Sequence, residues 1–389
     1  MDAIPKVALL IDTSSGFGRG LLGGIARHCE AHGPWIVEPW VAFYVFTGAL
    51  VDQLPKLRTG GFDGIISRGW DGAEDISALG VPCVICHDRH PPAERGVSGI
   101  TTNDAAIGAM AAEYFLRQGY RSFAYLGYDF LYWSEGRRKS FIDCLRRERY
   151  SVAVFKQRSA KGRQLWDYEK PRVADWLRTL RKPVALFACN DERAVQAAAA
   201  CWLAGLQIPY EVAILGVDDD EFLCQFWHPS ISSIRLNVEK AGYEAAALLD
   251  SLMKGKCGKG ERIYVEPIQV STRVSTDTVA VSDPAVAEAV RFIRANADRK
   301  IEVNDVARAV AVSRRWLYHR FKQQLGHTIY DEITAAHLAK IERLLVETRL
   351  PVSEIAYLVG FSTPEHISQF FRNHRKMTPS QFRKRHAPQ

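Results

Sequence analysis

Residues 354–371 read EIAYLVGFSTPEHISQFF. Ile355, Ala356 and Val359 recur at helical spacing, Gly360 can take the left-handed conformation that ends a helix, and Phe361 can fill the corner behind it. Ser362 and Glu365 have the spacing of a capping box, and Pro364 is pre-set for the first turn of a second helix. That helix turns Ile367, Phe370 and Phe371 inward and leaves Pro364, Glu365, Ser368, Gln369 and Arg372 outward. Small Ala356 lets the two helices cross closely. The pattern is that of a helix-turn-helix unit, whose second helix enters a DNA major groove.

The unit occurs twice. In DVARAVAVSRRWLYHRF, residues 305–321, Val306, Ala307 and Val310 lead to Ala311 and Val312 at the turn, Ser313 caps, and Leu317 and Phe321 point inward. Both copies share a trailer, FKQQLGHT after the first and FRNHRKMT after the second. One spacing differs: five residues separate Ser362 from Ile367, whereas four separate Ser313 from Leu317. Between the copies, IYDEITAAHLAKIERLLVET has the composition and periodicity of one long helix, a rigid spacer that would set the units about one DNA turn apart. The DNA-facing candidates are Ser313, Arg314, Arg315, Tyr318 and His319 in the first unit. In the second they are Thr363, Pro364, Glu365, Ser368, Gln369 and Arg372. Arginines suit guanine edges or phosphates, and Glu365 and Gln369 suit cytosine or adenine. The last residues, FRKRHAPQ, read as a phosphate-seeking tail.

Charge supports a polyanionic partner for this end. From residue 283 onward there are 18 Lys and Arg against 11 Asp and Glu, whereas the rest of the chain holds 33 of each, so the whole net charge of +7 lies in the last quarter. EIAYLVGFSTPEHISQFFRNHRKMTPSQFR resembles the signature of AraC/XylS-type transcription regulators, over about residues 283–385. The resemblance implies an all-α DNA-binding domain with helix-turn-helix units at about 301–322 and 352–373, and double-stranded operator DNA as partner.

In front of it, apolar strand-like runs (KVALLID, DGIISRG, VPCVICHD, SFAYLG, VALFACND, VAILGVDD) alternate with helical patterns. That alternation predicts an α/β fold with parallel sheets covered by helices. Several runs end in polar residues, Asp12, Asp88, Asn190, Asp191 and Asp218, which places them at the carboxyl ends of strands, where open α/β sheets bind ligands. For Asp191 a helix-cap role is an equal alternative. GRGLLG at residues 18–23, with Glu38 at about the right distance, imitates a dinucleotide fingerprint, but TSSGF intervenes after the strand, so glycine-permitted helix packing is the preferred reading. Cys83 and Cys86 lie three apart in a strand, on opposite faces, which argues against chelation and for core positions.

GYRSFAYLG, ACNDERA, VAILGVDDDEF and ITTNDAAIGAMAAEYFLRQG resemble the two-lobed core shared by LacI-type regulators and type I periplasmic binding proteins, over about residues 5–273. By position the resemblance implies sugar-binding roles for Phe17, Asp88, Arg89, Arg137, Asn190 and Asp218. Carboxylates, an amide and a guanidinium can hold vicinal hydroxyls, and an aromatic such as Phe17 or Trp133 can cover the C–H face of a ring.

The expected organisation is a sugar-binding domain at 1–275, a linker at 276–284 and a DNA-binding domain at 285–389. A LacI-like body in front of an AraC-type domain resembles regulators of sugar operons of the xylose type. It implies a dimeric, D-xylose-dependent activator of xylose catabolism genes that contacts RNA polymerase and has no catalytic function and no cofactor. A regulator of the same architecture sensing another pentose or sugar derivative is the first alternative, and a dinucleotide-dependent oxidoreductase with a DNA-binding tail the second. A constitutive DNA-binding protein whose front domain only dimerises is the third. No metal-ligand spacing appears, no run approaches the ~18 apolar residues of a membrane span, and the first residues lack a signal-peptide pattern, so a cytoplasmic location is expected. The eight cysteines are irregularly spaced and none follows Cys257, which speaks against a disulfide framework and a carboxy-terminal zinc module.

Overall fold

The structure is a computed structural model that describes residues 4–39, 54–68, 76, 78–86, 97–157, 165–256, 260–277 and 283–386. Two six-stranded sheets form the front body. The first contains β1 (Lys6–Leu10), β2 (Ile36–Pro39), β3 (Gly64–Arg68), β4 (Cys83–Cys86), β5 (Ser98–Thr102) and β11 (Arg262–Val265), in the order β11-β5-β4-β3-β1-β2. The second contains β6 (Phe123–Leu126), β7 (Val152–Val154), β8 (Val184–Ala188), β9 (Val212–Asp218), β10 (Ser232–Leu236) and β12 (Pro267–Ser271), in the order β12-β10-β9-β8-β6-β7. All described pairings are parallel except β10 with β12. Strands such as VALFA, buried at every position, can hide both faces only beneath helices, which is why they read as unbroken apolar runs.

The first five strands of each lobe repeat one winding, and in both the order reverses beside the first strand. The reversal opens a crevice between β1 and β3 in one lobe and between β6 and β8 in the other, at their carboxyl ends. Helices α1 (Gly16–His32), α2 (Leu54–Thr59) and α8 (Val238–Met253) serve the first lobe. Helices α3 (Asp104–Arg117), α4 (Tyr132–Arg147), α5 (Leu165–Thr179), α6 (Asp191–Ala204) and α7 (Glu221–Phe226) serve the second. The glycines of GRGLLG lie inside α1 rather than in a phosphate turn. A Cβ at Gly18 would stand 1.8 Å from the Asp12 carbonyl oxygen, and one at Gly20 3.1 Å from Val238, so they permit close packing on β1 and α8. CVIC is β4, and no group that could hold a metal ion occurs among the described residues.

Among the described residues the chain passes between the lobes three times, after β5, after β10 and between β11 and β12. The crossings are tied together: Asn103 N donates to Val265 O (3.0 Å), Asn237 N to Glu266 O (2.9 Å) and Asn103 Nδ2 to Glu266 Oε2 (2.9 Å). They form a hinge beneath the crevice.

Seven helices follow: α9 (Pro284–Ala295), α10 (Val303–Ala309), α11 (Arg314–Leu325), α12 (Ile329–Glu347), α13 (Val352–Leu358), α14 (Pro364–Arg375) and α15 (Pro379–His386). One core gathers Val290, Val306, Leu317 and Phe321, and a second gathers Ile341, Ile355, Ile367 and Phe371. At 19 residues, α12 spans about 28 Å and joins the halves rigidly. Its Thr328 and Asp331 form a reciprocal capping box.

Two expectations are corrected here. The cap of α14 is Thr363, not Ser362: Thr363 Oγ1 accepts from His366 N, while Ser362 Oγ pairs with His366 Nδ1. Pro364 occupies the first helical position, so the cap must be the residue directly before it. With Thr363 as the cap, four residues separate cap from inward side chain in both units, and the extra residue disappears. The terminal basic stretch is also not a free tail in its described part. Residues 379–386 are helical, Phe382 is buried, and Arg383 donates to the carbonyl oxygens of Leu345 (3.1 Å) and Leu350 (2.6 Å). The expected linker is bounded by Thr276, buried at the end of a 3-10 turn, and by Asp283, the cap of α9, while 278–282 lie outside the described residues.

Candidate ligand cleft and DNA-binding surface

The crevice draws on both lobes. From the first lobe, the loop after β1 carries Asp12, which accepts from Ser14 N (2.8 Å), and then Ser15, whose hydroxyl caps α1 by accepting from Gly18 N. Phe17 follows in the first turn, 5% exposed, and the Arg68 guanidinium at the end of β3 lies over its ring at 4.5 Å. Arg68 also donates to Ser15 Oγ. One ring face is therefore already covered by a cation. Sequence reasoning missed Arg68, although its place at the end of a strand bordering the crevice was a usable signal.

Across from it, α4 presents Trp133 and Arg137. Arg137 is 3% exposed and stacks on the Trp133 ring at 4.7 Å, with its guanidinium bonded to Cys189 O (2.5 Å) and Asp104 Oδ1 (3.2 Å). Burial works against its charge, but Asp104 and then Asp218 hold it protonated, above the ordinary guanidinium value. A buried cation facing two carboxylates is a fixed, dry donor. Asp218 ends β9 with φ +106°, a conformation that side chains rarely adopt. Asn190 is the cap of α6: its Oδ1 accepts from Arg193 N (3.0 Å), which leaves the Nδ2 donors available to another partner.

Asp191 is the first residue of that helix, so the cap role considered for it belongs to Asn190. Its carboxylate accepts from Ser233 Oγ (2.6 Å) and Asp220 N (2.8 Å) at 2% exposure. Burial, and then the nearby Asp218, push its pKa well above the usual carboxylate range. Asp191 thus braces the loop after β9. Beneath the crevice, Arg193 is wholly buried against Glu169 (2.9 Å) and Gly127 O (3.1 Å) and lies 4.5 Å over Tyr128, a rigid floor for α6. Asp88 and Arg89 lie outside the described residues.

Asp220 joins the lobes across the crevice. Asp220, 5% exposed, follows β9 in the second lobe and accepts from Gly16 N (2.7 Å) at the first turn of α1, in the first lobe. It also accepts from Arg19 Nη2 at 2.9 Å with both oxygens. Its carboxylate sits at the positive end of α1 and acts as a latch. The interaction links side chains about 200 positions apart, and nothing local in the sequence signals it.

On the helical domain, Ser313 and Thr363 cap α11 and α14. Arg314, Arg315, Tyr318 and His319 are exposed on α11, and Glu365, Gln369 and Arg372 on α14, with Pro364 and Ser368 half-buried beside them. Gly360 (φ +78°) and Ala311 (φ +54°) make the two turns.

Comparison with known proteins agrees with this division. Residues 112–276 match a periplasmic binding protein-like domain and residues 306–385 a helix-turn-helix domain. A two-lobed cleft followed by paired helix-turn-helix units defines a ligand-responsive, DNA-binding transcription regulator. Over nearly its full length the chain is similar to the xylose operon regulatory proteins. It is 27% identical to that of Haemophilus influenzae, covering 97% of this chain and 98% of the relative, and 28% identical to that of Escherichia coli K12, covering 97% and 96%. Among solved structures it resembles the xylose-binding transcription activator XylR, with TM-score 0.61 and 26% identity over 99% of both chains.

Proposed function

We propose that the chain is a D-xylose-dependent activator of xylose catabolism genes. The sugar sits between the lobes, where Asp88, Arg89, Arg137, Asn190 and Asp218 bind its hydroxyls and Trp133 and Phe17 line the ring, with Arg68 beside Phe17. Asp191 holds the loop that carries Asp218. The observation that carries this assignment is Arg137, an almost fully buried guanidinium stacked on Trp133 and facing Asp218. Cys189 O and Asp104 Oδ1 meet two of its N–H groups and offset the cost of burial, and a guanidinium carries five, so sugar hydroxyls are suitable acceptors for others. The names of the full-length relatives point to xylose among sugars.

Ser313, Arg314, Arg315, Tyr318 and His319, with Thr363, Pro364, Glu365, Ser368, Gln369 and Arg372, face operator DNA. The sugar-binding domain occupies 1–275, the linker 276–284 and the DNA-binding domain 285–389. The protein acts as a cytoplasmic homodimer that contacts RNA polymerase and performs no catalysis. No helix among the described residues is long and apolar enough to cross a membrane.

Calorimetric titration of the full chain with D-xylose, with L-arabinose, D-ribose and D-glucose as controls, tests the assignment. Saturable binding of xylose at least ~10-fold tighter than the controls is expected, about 1.4 kcal/mol of discrimination. Tighter binding of another pentose moves the effector, and binding of none of the four overturns the sugar-sensor assignment.

A further inference from the structure

The DNA-binding domain packs directly on the hinge. Ile268, two residues past the third crossing, is 8% exposed because it lies in the second helical core with Leu338, Ile341, Leu345 and Phe382. That core is therefore completed by a side chain from the hinge strand β12. Asn237, the second crossing, donates from Nδ2 to Arg385 O at the end of α15 (3.2 Å). His386, 8% exposed, stacks on Phe382 at 4.3 Å inside the same contact. Alongside, Arg117 at the end of α3 lends positive charge to Glu332 and Glu342 on α12, carboxylates bonded within their own domain by His327 and Arg375. Two of the three crossings thus touch the second helix-turn-helix half. Closing the lobes must rotate backbone at these crossings, because the described chain passes between the lobes through them.

We infer that the hinge is the seat of the DNA-binding domain, so that lobe closure is read within one chain at α12 and α15, with Ile268 and Asn237 as coupling residues. That sugar drives closure rests on the function proposed above; the coupling itself does not. The test uses a closure that needs no sugar. A Cβ at Gly16 would lie 3.0 Å from Asp220 Cβ, closer than the ~3.5–4.5 Å of a disulfide, so Gly16→Cys with Asp220→Cys locks the lobes on oxidation once the two backbones ease apart by about half an ångström or more. The locked and reduced full-length chains are titrated against a labelled duplex selected from a random-sequence pool by the wild-type chain. The same titrations are run with Ile268→Ser or Asn237→Ala added.

Locking should change DNA affinity in the parent by ~5–150-fold, the ordinary range of coupling. Adding either coupling variant should reduce that change to less than ~2-fold while DNA binding itself survives. An unchanged parent, or an equal change with and without the coupling variants, overturns the inference. Should Ile268→Ser fail to fold, Asn237→Ala, which removes one hydrogen bond, decides. Failure of D-xylose to bind while the lock still acts refutes the effector and leaves the coupling standing.

Discussion

Replacing Asp220 should loosen the closed crevice and weaken sugar binding without removing a residue assigned to hold the sugar. The carboxylate is 5% exposed and accepts from Gly16 N at 2.7 Å and from Arg19 at 2.9 Å. A hydrogen bond to a charged group is worth ~1.5–3 kcal/mol, and the helix terminus adds ~0.3–1. The Arg19 half counts for less, because that side chain is 47% exposed and its pairing is screened by solvent. The latch therefore favours closure by ~2–3 kcal/mol, about 30–150-fold in the ratio of closed to open lobes. Because binding to a partly populated state is weakened by its population, Asp220→Ala should raise the apparent Kd for the effector by ~10-fold or more. Arg19→Ala should raise it by less than ~3-fold, as expected for an exposed ion pair. Calorimetry gives the Kd, and small-angle scattering should report a larger radius of gyration for Asp220→Ala. An unchanged Kd together with unchanged scattering would refute the latch. An Arg19→Ala effect as large as that of Asp220→Ala would refute the weighting of the two contacts.

Three further outcomes follow from single contacts. Thr363→Ala should cost ~1 kcal/mol in thermal unfolding, the worth of a helix cap, while Ser362→Ala should cost less than ~0.5; the reverse order would restore Ser362 as the cap. Gly360→Ala puts a Cβ 2.3 Å from Lys300 N at φ +78°, so operator binding should be lost, with a destabilisation of at least ~2 kcal/mol and sugar affinity unchanged. Asp191, whose folded pKa is raised, imposes no penalty below the unfolded value of about 4, and the wild type loses stability above it as the unfolded chain ionises. Asp191→Asn keeps an acceptor for Asp220 N, can donate its NH2 to Ser233 Oγ as a protonated carboxyl would, and removes that loss, so its stability relative to wild type should rise between about pH 4 and pH 7; parallel pH profiles would contradict a raised pKa.

The repeat in the last hundred residues was legible because each inward side chain sits at a local helical spacing. Ile355, Ala356, Ile367 and Phe371 are buried as their periodicity predicts, and so are Leu317 and Phe321. The cap was misplaced by one residue because Ser362 and Thr363 both carry hydroxyls. The rule that separates them, that a proline in the first turn directly follows its cap, was present in the sequence and unused. The lobes were legible for a similar reason, since a strand buried on both faces announces itself in composition, and the polar residues after Leu10, Ala188 and Val217 mark strand ends. What escaped depends on distant partners. Asp220 looks like the third of three acids, yet its oxygens meet a helix start about 200 residues away, and Asp219 beside it pairs instead with Arg273 at 2.7 Å. Only the left-handed turn at Asp218 and Asp219, φ +106° and +54°, sends three adjacent carboxylates toward different partners. Ile268 is hidden in the same way: in sequence it is an ordinary strand residue, and only the fold makes it part of a helical core. Local patterns therefore revealed which parts exist, while the contacts that join the lobes to each other and the hinge to the DNA-binding helices belong to three dimensions. A regulator works through those joints, since a ligand can shift its DNA-binding domains only through contacts that differ between the open and closed states.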